Sequence, residues 1–234
     1  MKIIYISLFV LISFTAFGQN DASKLLSKYG FSTETVLDVL DNSKSDFSFK
    51  VNGTNHTYSD ANHTDNTVDR VFTFDNSKPA GQKFTLISVN GKDPNKKQYK
   101  SFNKEKNSID SNSKYKLSEK DFFIKSEDES KVIIGFNFPK EELPSKMAFM
   151  AHCTGYLFID KKANLITKLE INSNEAFNLK IFHINEMKIT INLAYNADKN
   201  IYYATKEKTS TKALIFGSIT SIDVEELYSD FKFE

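Results

Sequence analysis

The strongest constraint on the fold is the alternation of apolar and polar side chains in residues 187–195. Every odd position in this segment is apolar, namely Met187, Ile189, Ile191, Leu193 and Tyr195. Because successive side chains of a β-strand point to opposite faces, the pattern predicts a strand with one dry face and one solvated face. Sheets of that kind are typically antiparallel, since parallel sheets are covered on both faces.

Other segments of the chain predict the remaining strands by similar patterns. They are residues 47–51, 70–74, 84–89, 132–138, 153–160, 164–172, 176–184, 186–195, 200–206, 212–222 and 227–233. Short polar links such as residues 160–164 and 197–200 fit hairpin turns. Residues 52–67 are polar and turn-forming, and we expect a long exposed loop there. The predicted fold is mainly β (α+β), a curved antiparallel meander sheet or half-barrel.

A few short helices are expected to pack on this sheet. Residues 21–41 show helical spacing in two pieces, separated at Gly30, which suits the position after a helix end. Ser32 can cap the second piece. Asp93 followed by Pro94 predicts the start of a short polar helix that continues to about Asn107. Residues 107–120 are expected to form a loop.

The N-terminus has the three parts of a secretory signal peptide: a positive charge at Lys2, an apolar stretch of about ten residues, and small residues at Ala16 and Gly18. We expect residues 1–19 to be removed and residues 20–234 to form a single β-rich domain. Localisation would then be the periplasm or the extracellular space. Neither lipid anchoring through an N-terminal cysteine nor membrane-spanning helices are expected, since no further apolar stretch is long enough.

Composition excludes several function classes. Without residues 1–19 the chain has 30 basic and 30 acidic residues, because Lys2 is the only charge removed. This balance and the presence of one arginine, Arg70, argue against a nucleic-acid partner. Cys153 is the only cysteine, so no intramolecular disulfide can form and the fold must depend on its apolar core.

Several stretches resemble the periplasmic lipoprotein-carrier (LolA-like) superfamily, whose relatives include lipoprotein-localisation carriers and stress-sensing anti-sigma cofactors. The similar stretches are residues 45–51, 81–94, 154–160, 165–171 and 228–233. The resemblance implies an unclosed half-barrel with helices against its concave side, where an apolar surface holds acyl chains. Such carriers latch their lid with an arginine, and the only arginine here is Arg70.

The resemblance and the abundance of aromatic residues, 21 Phe and 10 Tyr, favour a non-enzymatic carrier or binding domain for a lipid, acyl chain or lipoprotein. The predicted apolar liners of its pocket are Val132, Ile134, Phe136, Phe138, Met187, Ile189, Ile191 and Leu193. The same aromatic residues could instead fill an ordinary core, with phenylalanine taking the place of the tryptophan that the chain lacks. An interaction or structural envelope domain without a small ligand is the alternative, and another envelope protein would then be its partner.

Enzymatic and metal functions have weaker support. His56, Asp60, His63 and Asp65 could gather a metal ion, but they lack a strict ligand spacing and are expected in a solvated loop. His152 and Cys153 are adjacent, so in a strand their side chains would point to opposite faces and could not form a catalytic pair. No serine-nucleophile or zinc-protease motif is present. We therefore expect no catalytic residues, no metal and no cofactor, and a hydrolase is the least favoured alternative.

Overall fold

The structure is a computed structural model that describes residues 25–40, 47–61, 63–79, 81–107, 117–118, 121–143 and 145–233. The signal peptide predicted for residues 1–19 and most of the loop predicted for residues 107–120 lie outside these ranges.

Three α-helices, two 3-10 helices and eleven strands make up the described chain. The α-helices are α1 (Leu25–Lys28), α2 (Thr33–Leu40) and α3 (Lys96–Asn107), and the 3-10 helices are Lys140–Glu142 and Ser145–His152. The strands are β1 (Phe47–Ser59), β2 (Thr64–Phe74), β3 (Phe84–Val89), β4 (Phe122–Glu127), β5 (Lys131–Asn137), β6 (Cys153–Asp160), β7 (Leu165–Ser173), β8 (Phe177–Leu179), β9 (Phe182–Asn196), β10 (Ile201–Ile215) and β11 (Ser218–Phe233).

All strand pairs are antiparallel and belong to one sheet. Its order is β3-β2-β1-β11-β10-β9-β7-β6-β5-β4, with the short β8 paired to the start of β9. The edges β3 and β4 do not meet, so the sheet is an unclosed, curved half-barrel. The predicted fold class is thus confirmed. The first strand, β1, pairs with the last strand, β11, as well as with its sequence neighbour β2.

The helices cover one face of the sheet, which we call the covered face. Its largest apolar cluster joins α1 and α2 to strands β5, β6, β7 and β9, and the side chains of Ile134, Phe136 and Leu157 are fully buried there. A second cluster lies between α3 and strands β1 to β3. A third, small cluster of Phe177, Ile184 and Ala213 lies beside the turn of β8 and β9.

Residues 52–67 form most of a long β-hairpin, so the predicted loop is wrong. Strands β1 and β2 pair without interruption from Phe49 opposite Phe74 to Ser59 opposite Thr64. Both faces of this hairpin are largely polar near its turn, so the apolar alternation that identifies a strand is missing there. Backbone hydrogen bonds instead hold β1 extended, with β11 on one side and β2 on the other.

The predicted strand boundaries near the C-terminus are also partly wrong. The strand predicted for residues 176–184 is broken by the two-residue turn Lys180-Ile181, and residues 200–233 form two long strands instead of three. Residues 206–212 are all polar, so the apolar alternation that would predict one continuous strand is missing in the middle of β10. The turn between β10 and β11 is Phe216-Gly217, and phenylalanine is not a turn signal.

Two glycines allow aromatic rings to lie flat across neighbouring strands, one in the core and one at the surface. Gly155 is paired with Phe136, and Gly135 is paired with Phe123. A Cβ atom at either glycine would overlap the ring of its partner. The Phe136 ring is fully buried and has no space to move, whereas the Phe123 ring is 40% exposed and can turn toward solvent.

We therefore expect Gly155→Ala to lower the free energy of unfolding by about 1–3 kcal/mol, the usual cost of overpacking a core. Gly135→Ala serves as the matched control and should cost clearly less, because the Phe123 ring can swing away. Urea unfolding of the two variants, with an unchanged slope, measures the difference. Equal losses of stability would contradict the role assigned to the buried ring.

Candidate functional site

The eight apolar residues predicted to line a pocket come together in the largest cluster on the covered face. Val132, Ile134 and Phe136 on β5 are fully buried, Phe138 just beyond β5 is 4% exposed, and Ile191 on β9 is 7% exposed. Met187, Ile189 and Leu193 on β9 are partly buried and pack against the same cluster. Helices α1 and α2 contribute to the packing over these side chains. Their role as ligand contacts stays a prediction.

Local sequence explains why α1 and α2 form a compact pair. Gly30 has φ +76° and closes α1, where its N–H donates to the carbonyl of Ser27 and the N–H of Phe31 donates to Leu26. The Ser32 hydroxyl then caps α2 by accepting a hydrogen bond from the N–H of Thr35 at 3.2 Å. This short connection turns the apolar side chains of both helices toward the sheet.

A polar cluster around Glu127 ties α1 to the end of β4. The Glu127 carboxylate accepts a hydrogen bond from Tyr29, lies 3.0 Å from the Lys161 ammonium and lies 3.5 Å from the Lys28 ammonium. The hydrogen bond from Tyr29, followed by the one from Lys161, lowers the pKa of Glu127 from 4.5 to about 2. The cluster is solvent-exposed, so it fixes the position of α1 more than it stabilises the whole fold.

Helix α3 covers the other part of the covered face. Asn95 caps the helix by accepting hydrogen bonds from the N–H groups of Lys97 and Gln98, both at 3.0 Å, and the Gln98 side chain accepts one from the N–H of Asn95. Phe102 is 2% exposed and packs on Phe72 with a ring separation of 5.3 Å. Among residues 96–106 of this largely polar helix, it is the only buried side chain.

A cavity of about 390 Å³ lies between α3 and strands β2 and β3. Its apolar lining comes from Val68, Leu86, Val89 and Phe102, and its polar lining from Arg70, Asn95, Lys97, Gln98 and Ser101. This volume lies within the range of small-molecule sites, which are about 300–1,000 Å³. None of the eight predicted liners borders it. The signal that could have revealed it was the isolated Phe102 within a polar helix.

The covered face changes from apolar to charged between β9 and β10. The strand register places Ile134, Leu157, Leu169 and Ile191 in one row across the sheet, and the same row continues with Glu207 opposite Ile191. Glu226 follows on β11, then Gly53 on β1 and Arg70 on β2. We call Glu207, Glu226 and Arg70 the charged row.

The end of α3 lies over this charged row. Arg70 Nη1 is 2.9 Å from Glu105 Oε2, and Lys106 Nζ is 3.6 Å from Glu226 Oε1. The Lys106 ammonium also lies 4.5 Å from the ring centre of Phe72, at cation–π distance. Two ion pairs and one buried phenylalanine thus position α3 on the sheet.

Tyr228 links the charged row to both large clusters. Its hydroxyl donates to Glu226 at 2.9 Å and lies 3.3 Å from Glu207, while its ring packs against both apolar clusters. Burial, and then the neighbouring Glu226, raises the pKa of Glu207. Burial, and then the adjacent carboxylates, also raises the pKa of Tyr228. The covered face therefore offers an apolar surface beside a set of hydrogen-bonding groups.

The residues considered for metal or thiol chemistry do not converge on a site. His56 Nε2 lies 2.7 Å from Asp65 Oδ1 across the β1–β2 hairpin, while Asp60 and His63 belong to its turn. Across the described ranges no group of three or more His, Cys, Asp or Glu side chains could hold a metal ion. His152 ends a 3-10 helix and pairs with Glu175 at 2.7 Å, whereas Cys153 points into the core.

Within the described part of the chain, no helix has the length and apolar character required to cross a membrane.

No protein-family model and no curated protein matches this chain. Similar solved structures include a LolA superfamily protein from Nitrosomonas europaea, with 12% identity and a TM-score of 0.34 over 87% of this chain and 94% of that one. A domain named for outer membrane lipoprotein sorting, from Vibrio parahaemolyticus, has 10% identity and a TM-score of 0.33 over 86% and 92% of the two chains. A DUF1329 family protein from Desulfovibrio piger has 11% identity and a TM-score of 0.33 over 86% and 90%.

Two of these solved structures bear names of the superfamily that the sequence resembles. At such identities no residue or ligand can be transferred from these proteins to this chain.

The Glu127 cluster leads to a pH-dependent prediction. Because the pKa of Glu127 is lower in the folded state than its usual 4.5, the cluster stabilises the folded state above about that pH and is lost as the pH falls toward 2. We expect Glu127→Gln to increase hydrogen exchange of α1 and α2 a few-fold over the wild type at neutral pH, and the difference to shrink in acid. Glu129→Gln, on an exposed neighbour, is the control. Equal protection in both variants would show that the cluster does not hold α1.

Cys153 provides a second measurement. Its side chain is 1% exposed, and burial raises the pKa of its thiol to about 11. Since the thiolate is the reactive form, iodoacetamide should leave the folded protein unmodified at mildly alkaline pH and modify it fully after denaturation. Mass spectrometry of the whole chain distinguishes these states. Rapid alkylation of the native protein would be inconsistent with a purely structural cysteine.

Proposed function

We propose that the protein is a non-enzymatic binding protein of the cell envelope that holds an acyl chain in the cavity beneath α3. The observation that carries this proposal is the mixed lining of the cavity, which is apolar through Leu86 and Val89 on the sheet and Phe102 on α3, and polar through the remaining side chains of α3 and through Arg70. An amphipathic ligand requires such a division, because its chain gains free energy from burial while its head group keeps polar contacts.

The attachment of α3 supports ligand entry at this site. One buried side chain, Phe102, and the two ion pairs to Arg70 and Glu226 hold the helix. The Arg70 pair is substantially exposed, and such pairs contribute little to stability. A small displacement of α3 would enlarge the cavity without disturbing the strands beneath it.

The eight predicted liners under α1 and α2 remain a second candidate surface. They are already packed, so a ligand there would have to displace the helix pair and replace its apolar contacts. The cavity beneath α3 is already present, although its apolar lining residues Leu86, Val89 and Phe102 are themselves largely buried, so a ligand there requires only a displacement of α3. A domain without a small ligand, serving only as an interaction module, is the remaining alternative.

Native mass spectrometry of the protein purified gently from its own envelope tests whether it carries a lipid. An additional mass that organic solvent releases, and that matches a lipid or acyl chain, would support the proposal. The bare polypeptide mass, together with no binding of added cis-parinaric acid, a fluorescent fatty acid, would contradict it and favour the interaction module.

Filling the cavity tests whether the acyl chain binds there. Ser101 is an exposed residue that lines the cavity, so Ser101→Phe places a ring there. We expect this variant to weaken cis-parinaric acid binding about tenfold or more. Asn103→Phe adds the same ring outside the cavity lining and is the matched control. If Ser101→Phe binds normally while Ile189→Asn weakens binding, the acyl chain lies under α1 and α2 instead. Thermal unfolding of each variant shows whether it folds.

A further inference from the structure

Two neighbouring turns at one end of the sheet expose large apolar side chains. Phe216, in the turn between β10 and β11, is 88% exposed, and Ile181, in the turn between β8 and β9, is 74% exposed. The other exposed large apolar side chains among the described residues reach only 39–45%. These two turns are therefore distinct from the ordinary scatter of apolar residues on a protein surface.

The strand register brings the two turns side by side. Leu214 of β10 is paired with His183 of β9, so the turn that follows β10 and the turn that precedes β9 lie at the same end of neighbouring strands. Leu214 is also paired with Ile219 of β11, and these two side chains are 40% and 39% exposed. We call Ile181, Leu214, Phe216 and Ile219 the apolar tip. The small cluster of Phe177, Ile184 and Ala213 packs at its base.

The conformation of Phe216 is unfavourable for its residue type. The turn has two residues, with φ +49° at Phe216 and φ +83° at Gly217, as in the hairpin turns that favour Asn-Gly. A bulky residue with positive φ is disfavoured, and exposure of its ring to water is unfavourable as well. Folding thus gives no reason for phenylalanine here. Local rules are most often broken in this way at functional positions.

We propose that the apolar tip inserts into the surface of a lipid bilayer. Each of the two turns has only two residues and lies at the same end of the sheet. Lys180 and Lys212 flank the tip and are exposed, and the register places the exposed Glu186 opposite Lys212. Apolar side chains beside lysines match the acyl boundary and the anionic head groups of a bilayer.

The third turn at this end limits the inserted surface. The turn between β1 and β2 lies next to β11, where the N–H of Asp60 donates to the carbonyl of Ile219. Its exposed Asp60 and His63 are polar. Contact with the bilayer is therefore confined to the two apolar turns. This inference does not depend on the acyl-chain cavity, which lies under α3 near a different part of the sheet.

Fluorescence gives a direct test, because the chain has no tryptophan. Phe216→Trp introduces a single fluorophore at the tip. With vesicles of phosphatidylethanolamine and phosphatidylglycerol, we expect its emission to shift to shorter wavelength and to be quenched by lipids that carry a spin label in the acyl chain. An unchanged emission spectrum at saturating lipid would overturn the proposal.

Matched substitutions separate insertion from general stickiness. Phe216→Asn restores the preferred turn residue, so we expect unchanged or higher thermal stability together with roughly 10- to 100-fold weaker partitioning into these vesicles. Ile87→Asn removes an apolar residue that is 45% exposed on β3 and should partition like the wild type. Ser101→Phe should also bind vesicles normally, which separates this result from the cavity. Equal losses in Phe216→Asn and Ile87→Asn, or retained binding in Phe216→Asn, would overturn the proposal.

Discussion

The pairing of β1 with β11 is the contact on which the rest of the structure depends. It joins the first strand to the last over almost their full lengths, from Phe47 opposite Phe233 to Ser59 opposite Thr220. Aromatic rings reinforce one end of this β1–β11 pairing, which we call the seam. There the ring centre of Phe47 lies within 6.0 Å of the ring centres of Tyr203, Phe231 and Phe233. Without this pairing, β1 to β3 would be a separate small sheet, and α3 would have no charged row beneath it.

This seam also explains why the covered face has two different halves. Strands β5 to β9 present a continuous apolar surface, because one row of paired residues runs from Ile134 to Ile191. Strands β10, β11 and β2 place the charged row on the same face. The apolar half is buried partly by α1 and α2, while α3 bridges the charged half and leaves a cavity at its side.

The parts of the fold that follow from short-range patterns could be predicted from the sequence. Alternation on β9 and the Gly30 and Ser32 signals around α1 and α2 depend on neighbours a few residues apart, and the structure has these elements where they were expected. The polar ends of β1 and β2 could not be found in this way, because their extended form depends on hydrogen bonds to strands distant in sequence. The same holds for the turns at Ile181 and Phe216, where tertiary pairing overrides turn preference.

The sequence by itself determined an antiparallel, mainly β chain with a few short helices, and it identified the apolar residues of β5 and β9 that form one cluster. It did so because the side-chain period of a strand is local. Only the tertiary structure decided that these side chains are covered, that a cavity lies instead beside Phe102, and that Glu207, Glu226 and Arg70 share a face. Strand register determines these arrangements, and register is set by contacts across the whole sheet.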